Sequence, residues 1–257
     1  MATKINFRVK DNIGFITFYE EIERRPCTLD WEVLEDLDKC IDNILSNIET
    51  YKVIVLESSS KKSFIVGANI EVLKTLNSEN ISLWVKNGHR IFNRFADLPI
   101  PVIAKVENFA LGGGLEIAMA CDMIIASEKA KFGQPEASLG VMPGWGGSYR
   151  LPKLIGINRA KEMFMTGKII DAKLAYEWGI VNHVCKGEEI DLFVEELINE
   201  ISKNDSKVIA YVKEILSNEE KQEIIENCMH ESITSSNCMA SESTTKRLNN
   251  FFESRKK

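Results

Sequence analysis

Three short apolar runs recur through the first half of the chain: Lys52–Leu56, Pro101–Val106 and Met123–Ala126. They show no in/out alternation, as expected of parallel strands covered on both faces. Segments of helical period separate them. Leu34, Leu37, Ile41 and Leu45 share one face over Leu29–Leu45. Ile81, Trp84, Val85, Gly88, Phe92 and Phe95 share another, and Pro99 and Pro101 end that helix. An earlier run, Ile13–Tyr19, reads as a strand by its aromatic and β-branched content. This alternation predicts an α/β fold. From about Asn158 helical patterns dominate. A core is therefore expected over residues 1–190, with a helical C-terminal region serving assembly over 191–257. No internal repeat, low-complexity tract or flexible linker interrupts the pattern.

Composition narrows the function classes. A net charge of −6 argues against sequence-independent nucleic-acid binding, which rests on neutralising phosphates. No run of about 18 apolar residues offers a membrane span. The N-terminus, Met1–Asn12, mixes charge and apolarity and lacks the apolar stretch of a signal peptide, so a cytoplasmic protein is expected. The six cysteines form no C-x-x-C pair, and no histidine stands at zinc-ligand spacing from them; free thiols and no metal site are expected.

The chemistry-bearing residues cluster around glycine turns. Gly112-Gly113-Gly114 lies between a strand and a small-residue helix. Amide N–H groups at a helix N-terminus are unpaired and favour negative charge, so the turn can stabilise an oxyanion. It fits neither the G-x-G-x-x-G fingerprint nor a P-loop. The plain alternative is a tight turn that serves packing alone. Glu116 follows in the first helical turn among Leu115, Ile117, Ala118, Met119 and Ala120. A carboxylate buried there acquires a raised pKa and suits acid–base work, although it also suits the helix dipole alone. Glu136 stands alone in the neutral loop Phe132–Gly140, either as a second acid–base group or as a cap after Pro135. Ser63–Ile70 forms a second glycine turn, where Ala68 can supply another N–H donor. His89, His183 and His230 have no partner at sequence spacing and are expected to be structural or exposed. No G-x-S-x-G elbow anchors a serine triad.

Phe64–Ile70, Ala110–Glu116 and Phe132–Glu136 followed by Pro143–Gly147, in this order, resemble the enoyl-CoA hydratase/isomerase, or crotonase, superfamily from about residue 5 to about residue 185. The resemblance implies a spiral of ββα turns, with C-terminal helices that build a trimer, often paired into a hexamer. It implies an acyl-CoA thioester substrate and no cofactor beyond the coenzyme A carried by that substrate. The oxyanion donors map to the N–H groups of Ala68 and Gly113, and the catalytic glutamates to Glu116 and Glu136. Gly144 matches a backbone N–H that helps hold water. Substrate contacts are expected from Ala68, Asn69, Ile70, Gly113 and Gly144. Keeping both glutamates is the pattern of true hydratases, so reversible hydration of a 2-trans-enoyl-CoA is the leading expectation. Isomerisation, C–C bond hydrolysis or acyl-CoA binding without catalysis are the alternatives. Three departures stand out: Asn69 where the family usually has Asp, Cys27 where it has Asn, and Ser243–Leu248 in place of an acidic-glycine segment.

Overall fold

The computed structural model describes residues 3–22, 25–218 and 221–255. The chain opens as a hairpin of β1 (Lys4–Lys10) and β2 (Ile13–Tyr19). Its two-residue turn places Asp11 and Asn12 at φ 50° and 64°, the left-handed geometry that matches the twist of paired strands. Helix α1 (Trp31–Ser46) follows, capped by the Asp30 carboxylate on the Val33 N–H at 3.0 Å. The expected start at Leu29 shifts because Leu29 bridges to Ala68 instead. The buried face also differs from expectation at its end: Ile44 is buried and Leu45 is exposed.

Three successive turns of chain then each add a strand to two sheets. They carry β3 (Val53–Ser58) and β4 (Ser63–Ile65), β5 (Val102–Val106) and β6 (Phe109–Leu111), and β7 (Met123–Ser127) and β8 (Lys131–Gly133). Later come β9 (Ile169–Asp171) and β10 (His183–Cys185). The larger sheet runs β1-β2-β3-β5-β7-β10 and is parallel from β2 onward. The smaller runs β4-β6-β8-β9, with only the β8–β9 pair antiparallel. This stepwise advance in both sheets is the expected ββα spiral.

Helices fill the connections: α2 (Ile70–Leu73), α3 (Ile81–Ala96), α4 (Gly113–Ala118), α5 (Glu136–Leu139), α6 (Gly147–Ile155), α7 (Ile157–Thr166) and α8 (Ala172–Trp178). The C-terminal helices are α9 (Glu189–Ser202), α10 (Ser206–Asn218), α11 (Lys221–Met239) and α12 (Glu242–Ser254). The unbroken apolar character of β3 now has its reason. Ile54 and Leu56 enter the main core, while Val53 and Val55 pack with Ile103 and Ile125 against Ile190, Val194 and Ile198 of α9. Each fully buried aliphatic side chain contributes about 1.5–3 kcal/mol relative to exposure.

Helix α11 lies along α3. Its buried stripe is polar, comprising Glu231, Ser232 and Ser235, whereas Ile225, Met229 and Ile233 face outward. Ser82 and Ser232 bring their hydroxyls to 2.7 Å across this contact. Among the described residues no helix is long and apolar enough to cross a membrane, and all six cysteines are free thiols.

Candidate active site

Strand β6 turns into α4 through Gly112, whose φ of +52° is strained for any residue with a side chain. That turn exposes the start of α4 beside the Gly67–Ala68 turn: a β-carbon at position 67 would stand 3.7 Å from the Gly113 nitrogen. Among the described residues, neither the Ala68 nor the Gly113 N–H finds an acceptor within the protein. Both residues line a cavity of about 130 Å³, and Glu116, Glu136 and Gly144 line it with them. Two unpaired donors at one wall of a pocket suit an oxygen that gains negative charge.

Glu116 lies one turn into α4 and is 2% exposed. Its Oε1 accepts the N–H groups of Trp145 at 2.8 Å and Gly147 at 2.7 Å. Both bonds use the same oxygen, which leaves Oε2 available for proton exchange. Burial raises the Glu116 carboxyl well above the usual range; the nearby charges of Glu231 and Glu136 push in the same direction, and the two amides oppose them. Glu136 opens α5 and is partly exposed to the cavity. Burial of its carboxyl, with a smaller contribution from Glu231, pushes it up to about 8. The buried Gln134 amide, with its nitrogen turned to that carboxylate, donates to Oε1 at 2.7 Å and Oε2 at 3.0 Å. Two carboxyls of raised proton affinity on one cavity can act as an acid–base pair.

Trp145 fixes the cavity wall. Its indole donates to the Trp84 carbonyl at 3.2 Å and lies where any β-carbon on Gly88 or Gly113 would collide, at 2.0 and 2.5 Å. Apolar side chains of Leu139, Val141 and Met142 line another side, and Met239 of α11 and Phe251 of α12 line the cavity from the C-terminal helices. Helix α12 sits on α5 through Thr244, whose hydroxyl donates to the Gly140 carbonyl at 2.6 Å.

The sequence profile described as enoyl-CoA hydratase/isomerase matches residues 10–257. A short-chain-enoyl-CoA hydratase of Clostridium acetobutylicum is 36% identical over 89% of this chain and 87% of its own. The chain belongs to the enoyl-CoA hydratase/isomerase family. A crotonyl-CoA hydratase of Syntrophomonas wolfei is 35% identical over 80% of this chain and 79% of its own. The crystal structure of an enoyl-CoA hydratase from Bacillus halodurans shares the fold, with a TM-score of 0.87 over 96% of this chain and 99% of that one at 22% identity.

The residues that the family resemblance singles out separate into two groups. Ala68, Ile70, Gly113, Glu116, Glu136 and Gly144 all line the cavity. Asn69 does not: its side chain caps α2 by accepting the Glu71 N–H at 2.9 Å, and its amide nitrogen stands 3.5 Å from Asp30. Cys27, at the position of the family asparagine, is fully buried with Sγ 3.4 Å from the Ser58 hydroxyl, and Thr28 lines the cavity instead. Burial pushes the Cys27 thiol up to about 11, which keeps it protonated and unreactive. His183 and His230 are exposed. His89 is buried, and its partner is Glu231 of α11, 142 positions away in the chain. No sequence spacing reports such a pair. Trp145 lay inside a recognised motif, and only its glycine neighbours hinted at a large side chain that needs room.

Proposed function

We propose that this protein catalyses the reversible hydration of a 2-trans-enoyl-CoA to a 3-hydroxyacyl-CoA. The observation that carries this reading is the convergence on one cavity of two unpaired amide donors and two carboxyls of raised proton affinity. The Ala68 and Gly113 N–H groups bind the thioester oxygen, where charge grows as the α,β double bond is attacked. Such a donor contributes about 3–4 kcal/mol of transition-state stabilisation. The Trp145 and Gly147 amides on Oε1 favour the ionised form of Glu116 against the burial that opposes it, and its Oε2 takes a proton from water as the water oxygen bonds to Cβ. Glu136 delivers a proton to Cα. The Gly144 backbone N–H helps hold the water. Coenzyme A arrives as part of the substrate, and no separate cofactor enters the scheme.

The names of the two relatives support a short acyl group as the substrate. The division near residue 190, with the later helices serving subunit assembly, belongs to the same reading. The deciding experiment follows crotonyl-CoA hydration by absorbance and mass with Glu116→Gln and Glu136→Gln. Each is expected to lose about 10²–10⁴-fold in kcat, the usual contribution of a positioned acid or base. A variant that keeps near-wild-type kcat would sink the two-carboxylate mechanism. Rearrangement of the double bond without gain of water would instead identify an isomerase, which needs only the Glu136 proton shuttle.

A further inference from the structure

A third carboxylate stands beside the first two. Glu231 of α11 is 1% exposed and belongs to the helix packed along α3. Four consecutive amides at the start of α6 divide between two acids: Trp145 and Gly147 donate to Glu116, while Gly146 at 3.0 Å and Ser148 at 3.1 Å donate to Glu231. The alternation locks the strip from both sides. The Ser148 hydroxyl also donates to Glu231 Oε1, and the Asn227 amide donates to that hydroxyl at 3.0 Å. His89 of α3 faces Glu231 Oε2 through Nε2 at 2.7 Å. Its Nδ1 is buried without a partner among the described residues, which assigns the ring hydrogen to Nε2 and makes His89 the donor.

Burying a carboxylate is costly unless donors compensate it, and this one is met by two amides, a hydroxyl and an imidazole. We propose that Glu231, held by His89, is a positioning residue for the hydration site: it fixes the 145–148 strip whose alternate amides orient Glu116. Glu231 is not among the residues that line the cavity, so it acts through Glu116 and has no contact with substrate. The inference rests on the reading of Glu116 as the water-activating base.

The test is a double-mutant cycle on crotonyl-CoA hydration, with folding of each variant checked by circular dichroism. Glu231→Ala is expected to lose roughly 100-fold in kcat while KM changes by less than about 3-fold, because ground-state binding is untouched. Isosteric Glu231→Gln retains acceptors for part of the strip and is expected to keep about a tenth of wild-type kcat. His89→Gln is expected to fall between the two. Added to Glu116→Gln, Glu231→Ala is expected to cost less than about 3-fold further, since the group it orients is already gone. A folded Glu231→Ala with wild-type kcat overturns the proposal, and so do fully multiplicative losses in the double variant. Where Glu231→Ala does not fold, Glu231→Gln and His89→Gln decide: wild-type kcat in both overturns it. If Glu116→Gln alone stays active, the reading of the site has failed, whatever Glu231 does.

Discussion

Glu136 holds its proton to about pH 8 because burial removes the water that would solvate its anion. Two outcomes follow at the scale of this one side chain. In the hydration direction Glu136 is the proton donor, so kcat/KM is expected to fall as pH rises through about 8. A profile flat to pH 9.5 would contradict that role. Stability moves with the same proton. The folded carboxyl binds it more tightly than the unfolded one, whose value is near the ordinary 4.5. The raised carboxyl therefore costs stability increasingly as pH climbs from about 4.5 to about 8, and the cost levels off above that. Glu136→Gln removes this slope and is expected to melt several degrees higher than wild type at pH 9, with little gain at pH 4, in a pair of thermal scans. The two glutamates were legible in the sequence because each stands isolated among apolar or neutral neighbours. The partners of Glu116 were not, because Trp145 and Gly147 reach it across 29 and 31 positions.

Helices α3 and α4 and the turn before α6 meet around one indole, and the meeting depends on glycine at two places. Adding a methyl group at Gly88 puts it 2.0 Å from the Trp145 nitrogen, inside the packing between α3 and the buried indole. Gly88→Ala is expected to destabilise the protein by about 1–3 kcal/mol in urea titration, the usual cost of overpacking, and to depress kcat as the strip holding Glu116 shifts. Unchanged stability would mean that Trp145 has room to move aside. Helix α3, with its strong period, and the unbroken apolar runs that became β3, β5 and β7 were readable in advance. The second sheet was not: β4, β6, β8 and β9 have three residues each, too few for a period of two to declare itself. The segment Phe132–Glu136, expected to be a loop, is for that reason the end of β8 and the start of α5. Helix α11 defeated the pattern in a different way, since its polar stripe faces the protein.

Across the whole molecule, α11 and α12 line the cavity, while α10 and α11 leave an apolar surface outward. Val208, Tyr211, Val212, Ile215 and Leu216 of α10 are more than half-exposed or nearly so, as are Ile225, Met229 and Ile233 of α11. So much exposed apolar side chain on two consecutive helices fits subunit contact, and Ile215→Glu combined with Met229→Glu is expected to lower the mass seen by light scattering from a trimer or hexamer toward a monomer. A monomeric wild type would refute the assembly reading. Phe251 of α12 lines the cavity; under the hydration reading, Phe251→Ala is expected to raise kcat/KM on hexenoyl-CoA relative to crotonyl-CoA by about 10-fold, the low end of what one methylene is worth in an apolar pocket. The helical character of this region was plain from the sequence, but which face turns inward was settled only by packing. The bond between His89 and Glu231 spans more than half of the chain, and that has a consequence in time. Contacts so distant in sequence form late, after the loop between them has closed. During refolding from denaturant, the helical and strand signal of the spiral is expected to return first and hydratase turnover last. The interval between the two measures how long a nearly complete molecule waits for its final helices before it can work.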